Sequence, residues 1–487
     1  MASQYLDRRD AILLAQKQWA ATPLRLRAEI IGKLRRRMAS GARELAETVP
    51  TTLPGALHRT VADTLASEVL PLIEACRFLE RYAAKILKTK RLGARGRPLW
   101  LGGVQTHVER MPWGVVLVLG ASNYPLFLAG VQTLQALVAG NAVLWKSASG
   151  TQTPAFALHT LLLECGLPSD LLTLLEPDLE SASEVIAAGV DHVVLTGSAE
   201  TGKAVLRQLA ETLTPATMEL SGCDAVFVLP CFDLEHTVRA LIFGLRFNSS
   251  CTCMAPRRVF LVGLKEEDAA RFEAFLAAAM RSLPAVSLTA KSCRQVRELI
   301  ADARAQGAEI VLDGCRNTDS QTAVEATLIG RATPALLSMQ TDVFAPVLSI
   351  MRTTDPDEAL AANAVCPYAL TASVFGPEAE ARSLARRLRV GNVLINDLIV
   401  PTADPRVSFG GRSKSGFGVT RGAEGLLAMT TPKTVQVQHR RSKRPYEPTY
   451  ESHVELFAGL AEALHGDGIG KRWRGVKRLL RAAQKLK

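Results

Sequence analysis

Residues 113–145 read WGVVLVLGASNYPLFLAGVQTLQALVAGNAVLW and contain no charged side chain. The stretch is longer than the roughly 20 apolar residues that cross a bilayer, so a membrane span is one interpretation. Turn residues divide it, however, at Gly120–Asn123 and at Gly140–Asn141. These turn residues favour a buried strand, a turn, a buried helix and a second buried strand. We therefore expect the core of a globular domain here.

The same alternation of short apolar runs and helical segments continues towards the C-terminus. Strands are expected at Leu171–Leu175 and His192–Leu195, and helices at Thr153–Cys165 and Glu180–Ala188. A second set of strands is expected at Ala225–Leu229, Val259–Val262, Glu309–Leu312, Val347–Met351 and Asn392–Asn396. Residues 1–90 have a helical pattern instead, and residues 98–112 are strand-like. The predicted fold class is α/β, with mostly parallel sheets covered by helices.

The composition excludes several classes of protein. The chain has 487 residues, of which 48% are hydrophobic and 22% charged, which is typical of globular and not of disordered proteins. Nine cysteines spread over this length argue against a secreted disulfide framework and for a reducing compartment. The N-terminus, MASQYLDRRD, has no apolar signal-peptide core, so we expect a cytoplasmic location.

The net charge of +11 is concentrated near the C-terminus. Residues 440–487 hold 12 Lys and Arg against five Asp and Glu, a net charge of +7, so the other 439 residues carry about +4 and no nucleic-acid partner is predicted for them. The last residues, 471–487, read KRWRGVKRLLRAAQKLK. A helix there would gather its apolar residues near one face, namely Trp473, Val476, Leu479, Leu480, Ala483 and Leu486. That pattern is typical of a helix on an anionic membrane surface. A helix docked on the main body of the chain or on an acidic partner would have the same pattern.

Four segments could carry chemistry. The turn Gly197–Gly202 follows a predicted strand and opens a helix, which suits a pyrophosphate, although a plain strand–turn–helix corner looks the same. Cys251 and Cys253 stand among small residues, as a nucleophile or a buried thiol would, and no Cys/His pair at zinc-like spacing accompanies them. No metal site is predicted. Glu219 is either a general base or a solvated carboxylate, and Lys146 either binds a ligand at a strand end or is solvated.

Taken in order, eight segments between about residues 10 and 435 resemble the aldehyde dehydrogenase family. The segments are Pro112–Gly114 with Ala121–Leu126, Ala139–Asn141 with Lys146, Gly197–Gly202, Met218–Gly222, Asn248–Arg258, Asp342–Val347, Gly391–Asn396 and Phe409–Gly416. Each is weak alone, and their order and spacing carry the resemblance. The resemblance implies a Rossmann-type cofactor domain (1–97 and 112–222) and an α/β catalytic domain (223–415). It also implies a small β bridging segment (98–111 and 424–439) that joins homodimers or homotetramers, and it leaves residues 440–487 as a basic tail.

The resemblance also implies roles for individual residues. Cys253 would be the nucleophile, Glu219 the general base, and the Asn123 carboxamide an oxyanion donor together with the Cys253 backbone N–H. NAD or NADP would be bound by Lys146, Ser149, Gly197, Ser198, Gly202, Asp342 and Phe344. The implied activity is the oxidation of an aldehyde to a carboxylic acid through a cysteine thioester. A CoA-acylating or reductive relative is the enzymatic alternative, and a non-catalytic scaffold is an alternative of another class.

Departures from the family pattern bear on function. Ser149 stands where NAD-preferring members commonly have Glu, and a small neutral residue admits a 2′-phosphate, so we expect NADP to be accepted. Asp342 is one methylene shorter than the family's Glu, which weakens its expected ribose contact. Cys251 replaces a Gln beside the nucleophile, and a reversible Cys251–Cys253 disulfide is a hypothesis. If the tail meets a membrane, a lipophilic aldehyde (long-chain or isoprenoid) is the expected substrate.

Overall fold

The computed structural model describes residues 3–53, 57–98, 101–316, 322–439 and 448–485. Its α-helices are α1 (Ser3–Ala21), α2 (Leu24–Ser40), α3 (Ala42–Glu47), α4 (Val61–Thr64), α5 (Leu70–Ile86), α6 (Phe127–Ala139), α7 (Thr153–Glu164), α8 (Leu179–Ala188), α9 (Ala199–Thr212), α10 (Leu234–Arg246), α11 (Glu266–Met280), α12 (Ala290–Ala305), α13 (Pro356–Ala364), α14 (Glu378–Ala385), α15 (Gly422–Ala428), α16 (Val454–His465) and α17 (Gly468–Lys485). A π-helical turn, Leu65–Val69, joins α4 to α5.

The strands have two to nine residues. They are β1 (Thr52–Leu53), β2 (Leu57–His58), β3 (Lys90–Leu92), β4 (Val104–Pro112), β5 (Val115–Leu119), β6 (Ala142–Lys146), β7 (Leu172–Leu175), β8 (His192–Gly197), β9 (Ala216–Leu220), β10 (Asp224–Val228), β11 (Pro256–Val262), β12 (Val286–Ser287), β13 (Glu309–Leu312), β14 (Ala323–Val324), β15 (Thr327–Gly330), β16 (Val347–Thr353), β17 (Tyr368–Ala369), β18 (Thr371–Phe375), β19 (Asn392–Ile395), β20 (Arg412–Ser413), β21 (Gly416–Phe417) and β22 (Thr430–Gln438).

The charge-free stretch 113–145 forms the centre of a six-stranded sheet. The strand order is β21-β9-β8-β5-β6-β7, and every pair is parallel except β21 with β9. The stretch supplies β5, the almost wholly buried α6, and β6, as predicted. Gly140 ends α6 at φ 105°, a left-handed conformation that glycine adopts without strain. Within the described part of the chain, no helix is long and apolar enough to cross a membrane.

The second set of predicted strands forms a seven-stranded sheet. Its order is β13-β15-β16-β11-β10-β18-β19, and all neighbours are parallel except β13 with β15. The predicted α/β class is therefore confirmed. The chain passes from one sheet to the other between β9 and β10, so that the turn at Ser221–Cys223 joins the two sheets. The predicted domain boundaries remain a prediction.

A separate, smaller unit consists of residues 91–107 and 435–487. Its C-terminal part is a helical hairpin, in which α17 packs on α16 through Gly459 and Gly475. A methyl group on Gly459 would lie 2.6 Å from the Leu479 backbone nitrogen, so the two helices touch backbone to backbone. The predicted tail helix is confirmed in α17, but its pairing with α16 was not expected. The basic residues at 440, 441, 443, 444 and 487 lie outside the described residues.

Candidate active site

The loop that carries Cys251 and Cys253 has a constrained backbone. Three consecutive residues after α10, Asn248, Ser249 and Ser250, have φ of 53°, 50° and 64°. Non-glycine residues adopt this left-handed region at a cost and remain there only when surrounding contacts hold them. The buried Arg257 supplies such contacts, because its Nη1 donates to Ser250 Oγ at 2.8 Å and its Nη2 to the Ser250 carbonyl at 2.7 Å. The nucleophile candidate is therefore held on a strained but clamped loop.

Asn123 lies directly against this loop. It follows β5 at the carboxyl edge of the six-stranded sheet and is buried. Its Nδ2 donates to the Cys251 carbonyl oxygen at 2.9 Å, which leaves a second N–H for another acceptor. The adjacent Tyr124 hydroxyl hydrogen-bonds Thr252 Oγ1 at 2.7 Å. The structure thus brings Asn123 against the loop that carries Cys253, 130 positions further along the chain.

Glu219 is buried on β9 among neutral polar groups. The Thr420 hydroxyl donates to one carboxylate oxygen, and Gln132 Nε2 lies 3.3 Å and Thr196 Oγ1 3.5 Å from the other. β9 leads into Gly222, whose added Cβ would lie 2.5 Å from the Cys253 carbonyl oxygen. The strand therefore brings the predicted base to the loop of the predicted nucleophile.

Burial dominates the electrostatics of both groups. It raises the pKa of the Cys253 thiol, and the carboxyl groups of Asp224, Glu219 and Asp342 raise it further, while Arg421 opposes them. Burial also raises the pKa of Glu219, against the charge of Arg421 and the hydrogen bonds from its neutral neighbours. A raised thiol pKa means that a proton must leave Cys253 before the sulfur can attack.

Five of the predicted cofactor residues, Lys146, Ser149, Gly197, Ser198 and Gly202, lie at or shortly after the carboxyl ends of β6 and β8. Lys146 ends β6, where burial lowers its pKa and Asp178 opposes the shift. Ser198 caps α9, since its Oγ accepts from the Thr201 N–H at 3.1 Å. A methyl group on Gly202 would lie 2.8 Å from Leu220 Cδ1, so a larger residue here would require the Leu220 side chain to move. A tight turn, a helix N-terminus and a half-buried lysine fit a dinucleotide phosphate and ribose.

Asp342 lies behind the nucleophile loop beside Arg257. Burial raises the pKa of Asp342 to about 7, although Arg257 opposes the shift. Arg257 Nε is 3.7 Å from Asp342 Oδ1, and among the described residues this oxygen has no hydrogen-bond donor. A buried acceptor without a donor fits the hydroxyl groups of a ribose. Phe344 is half-buried at the edge of the core, two residues further on.

The comparisons with known proteins agree with this geometry. A family profile described as "Aldehyde dehydrogenase family" matches residues 7–435. The chain belongs to the aldehyde dehydrogenase family. It is 29% identical to 4,4'-diapolycopene aldehyde oxidase of a Methylomonas species, over 98% of this chain and 89% of that protein. It is 29% identical to the NADP(+) succinate-semialdehyde dehydrogenase of Deinococcus radiodurans, over 88% and 89% of the two chains.

Solved structures show the same fold. A putative aldehyde dehydrogenase from Burkholderia cenocepacia superposes with a TM-score of 0.83 at 23% identity, covering 92% of each chain. A putative methylmalonate-semialdehyde dehydrogenase from Sinorhizobium meliloti, complexed with NAD, superposes at 0.80 with 25% identity over 91% of each chain. The predicted family, aldehyde dehydrogenase fold and enzyme class are thereby confirmed. The roles of individual residues remain predictions.

Several residues of this aldehyde dehydrogenase site were missed from the sequence. Thr420, Gln132 and Thr196 surround Glu219. The positive charge of Arg421 acts to lower the pKa of both Glu219 and Cys253. Arg59 contacts the Asn123 segment. The motif segments Ala121–Leu126 and Gly197–Gly202 lie close in sequence to Gln132 and Thr196 but do not contain them. Neither Arg59 nor Thr420 has a spacing that could have identified it.

Proposed function

We propose that this aldehyde dehydrogenase oxidises an aldehyde to a carboxylic acid with NAD or NADP through a thioester on Cys253. The observation that carries the proposal is the convergence of Asn123, the Cys253 loop and buried Glu219. The partly exposed Cys253 loses its proton to solvent, and its sulfur attacks the aldehyde carbon. The second Asn123 N–H and the Cys253 backbone N–H stabilise the oxyanion. NAD or NADP, which Lys146 and Ser198 would hold, would supply the hydride acceptor that turns the thiohemiacetal on Cys253 into the thioester. Glu219 then takes a proton from the water that attacks the thioester, and the acid leaves.

The test measures reduced-nicotinamide formation by the purified protein with short, aromatic and long-chain aldehydes. Cys253→Ser is expected to abolish turnover. Glu219→Gln is expected to retain one rapid burst per active site and to lose steady-state turnover, because only hydrolysis of the thioester needs the base. The CoA-acylating alternative predicts instead that adding coenzyme A raises turnover and yields the acyl-CoA. A protein inactive under all these conditions would contradict the proposal and favour a scaffold.

NADP is the cofactor that Ser149 supports. Ser149 is exposed three residues after Lys146, and no carboxylate at this position opposes a 2′-phosphate. The relative from Deinococcus radiodurans is named for NADP(+). Comparison of kcat/KM with NAD and with NADP tests this, and strict NAD use would contradict it.

A lipophilic aldehyde is the proposed substrate class. The relative named 4,4'-diapolycopene aldehyde oxidase aligns over 98% of this chain, so the alignment extends beyond residue 435 into the tail. A shared tail supports a shared need to reach an apolar substrate. A polyene or long-chain aldehyde is expected to give a higher kcat/KM than a short aldehyde, and the reverse order would contradict the proposal.

The hairpin fits an anionic membrane surface. Gly475 and Ala482 of α17 are buried, while Ile469, Trp473 and Leu480 lie on the opposite side of α17, with exposed fractions of 88%, 62% and 59%. Arg474 and Arg478 are paired with Glu462 and Glu455 of α16. The other basic residues of α17, which are Lys471, Arg472, Lys477, Arg481 and Lys485, are exposed. An apolar stripe flanked by cations suits a peripheral position on acidic lipid.

Vesicle flotation tests the membrane proposal. Full-length protein is expected to float with vesicles that contain phosphatidylglycerol, less at high salt, and not with pure phosphatidylcholine. Trp473→Ser with Leu480→Ser is expected to abolish flotation. Phe156→Ser is the matched control, since Phe156 is 57% exposed on another helix. Equal flotation of the double variant and the control would contradict the proposal.

A homodimer or homotetramer is also proposed. Strand β22 lies at the edge of the three-stranded sheet β22-β4-β3, and most of its side chains are exposed. An exposed edge of nine residues can pair with another copy of the chain. Light scattering is expected to give the mass of two or four chains, and Val437→Pro, which removes a backbone donor, is expected to reduce it. A monomeric wild type would contradict the proposal.

A further inference from the structure

We propose that Arg59 is a positioning residue that holds the two halves of the oxyanion site together. Its side chain is 1% exposed and donates from Nη2 to the Asn123 carbonyl oxygen at 2.6 Å. Its Nε donates to Asn248 Oδ1 at 3.1 Å. Asn123 carries one oxyanion donor, and Asn248 begins the strained loop that leads to Cys253. One guanidinium therefore contacts both segments. The inference rests on the proposed role of Asn123.

Asn248 relays the contact further into the loop. Its Nδ2 donates to the Asn123 carbonyl at 3.1 Å and to the Cys251 carbonyl at 3.2 Å. The Cys251 carbonyl is also the acceptor for Asn123 Nδ2. Arg59, Asn248, Asn123 and the Cys251 carbonyl thus form a closed hydrogen-bonded cluster two residues from the nucleophile. The cluster fixes the distance between the Asn123 carboxamide and the Cys253 loop.

Glu68 fixes Arg59 in turn. The two side chains form a buried ion pair, in which Glu68 is fully buried. The other carboxylate oxygen accepts from the Leu126 and Phe127 N–H groups at 2.7 and 2.9 Å, at the positive start of α6. Glu68 lies in the π-helical turn, a feature that often marks functional sites. The same carboxylate therefore anchors Arg59 and the helix that follows Asn123.

The geometry requires the planar fork of arginine. Nη1 is used by Glu68, Nη2 by Asn123 and Asn248, and Nε by Asn248. A lysine preserves the charge, but its side chain is shorter and carries a single nitrogen. It therefore cannot replace the three separate nitrogen donors of the guanidinium. Arg59→Lys is therefore expected to keep the ion pair and to loosen the oxyanion site.

A double-mutant cycle distinguishes this role from a purely structural one. The rate constant for acylation is measured as the burst of reduced nicotinamide for wild type, Arg59→Lys, Asn123→Ala and the double variant. Arg59→Lys alone is expected to lower it by about 10- to 100-fold, the range for misplacement of a catalytic group by about 1 Å. Asn123→Ala alone is expected to cost about 100-fold or more. The double variant should match Asn123→Ala within about twofold, because Arg59 acts through Asn123.

Two further variants keep the test decisive. Asn248→Gly removes the side chain that connects Arg59 to the Cys251 carbonyl, and glycine adopts a φ of 53° without strain. The effect of this variant should also be non-additive with that of Asn123→Ala. It therefore provides the test if Arg59→Lys fails to fold. Arg27→Lys is the matched control, since Arg27 is a buried arginine of α2, and its effect should be additive. Additive effects of Arg59→Lys or Asn248→Gly would overturn the inference. An unchanged burst in Asn123→Ala would instead refute the proposed role of Asn123 itself.

Discussion

A methyl group added at Gly222 is expected to displace the nucleophile. The Cβ of an alanine would lie 2.5 Å from the Cys253 carbonyl oxygen, 2.8 Å from Asp224 Oδ1 and 3.0 Å from Leu370 Cβ. Reaching an ordinary contact of 3.4 Å requires the Cys253 backbone to move by about 0.9 Å. A shift of about 1 Å can cost about 100-fold in rate, or about 2.7 kcal/mol of activation free energy. Overpacking is also expected to lower the free energy of unfolding by about 1–3 kcal/mol.

The assay for Gly222→Ala is kcat/KM for the best aldehyde, together with the rate of Cys253 alkylation by iodoacetamide and the melting temperature. Gly32→Ala is the control, since its Cβ would lie equally close, 2.6 Å, to Glu80 Oε1. That atom ends a flexible side chain remote from the site, so activity should stay within about twofold. A folded Gly222→Ala enzyme with wild-type kcat/KM and alkylation rate would refute the reasoning.

Three further predictions concern the thiol, the cofactor and the hairpin. The raised pKa of Cys253 means that its alkylation rate should keep rising with pH above neutrality, and a plateau below the ordinary thiol pKa of about 8.5 would contradict this. Ser149→Glu should lower kcat/KM for NADP by about 10-fold or more and leave NAD within about threefold, because the new carboxylate faces the 2′-phosphate. Gly475→Val places side-chain atoms against the Ala463 backbone and should expose the tail to trypsin, with unchanged turnover of a water-soluble aldehyde. A trypsin-resistant variant would show that the helices do not depend on this contact.

The sheets could be predicted because their signal is local. The apolar run Val115–Leu119 has the bounds of β5, and the expected helix Thr153–Cys165 exceeds α7 by one residue. The pairing of β21 with β9 could not be predicted, since it brings Gly416 opposite Glu219 from nearly 200 residues away. Two-residue strands such as β21 carry no periodicity. The pairing nevertheless shapes the site, because the segment that follows β21 brings the Thr420 hydroxyl to the Glu219 carboxylate.

The reacting residues were predictable only through their family pattern, and the residues around them were not. Cys253, Glu219 and Asn123 each lie in a short segment of recognisable composition. Arg59 lies 189 positions from Asn248, in the polar stretch HRT, where an arginine is normally solvated. The Cys251–Cys253 disulfide hypothesis remains a prediction. In the structure the Cys251 thiol faces the carbonyls of Ser249 and Phe344, and burial raises its pKa to about 12.

The buried arginines explain how irregular loops can meet around a reactive thiol. Loop carbonyls have no strand partners, and an unpaired buried carbonyl costs about 1–3 kcal/mol. Four arginines, each at most 6% exposed, donate to such carbonyls. Arg59 donates to Asn123, Arg257 to Ser250 and Ala345, Arg258 to Cys223, and Arg421 to Thr402. A guanidinium offers five donors and remains charged when buried, so one arginine can hydrogen-bond to the carbonyl groups of several backbone segments. The same arginines offset the negative charge of the carboxyl groups of Glu219, Asp224 and Asp342. The side chains that hold the loops therefore also balance the buried charge.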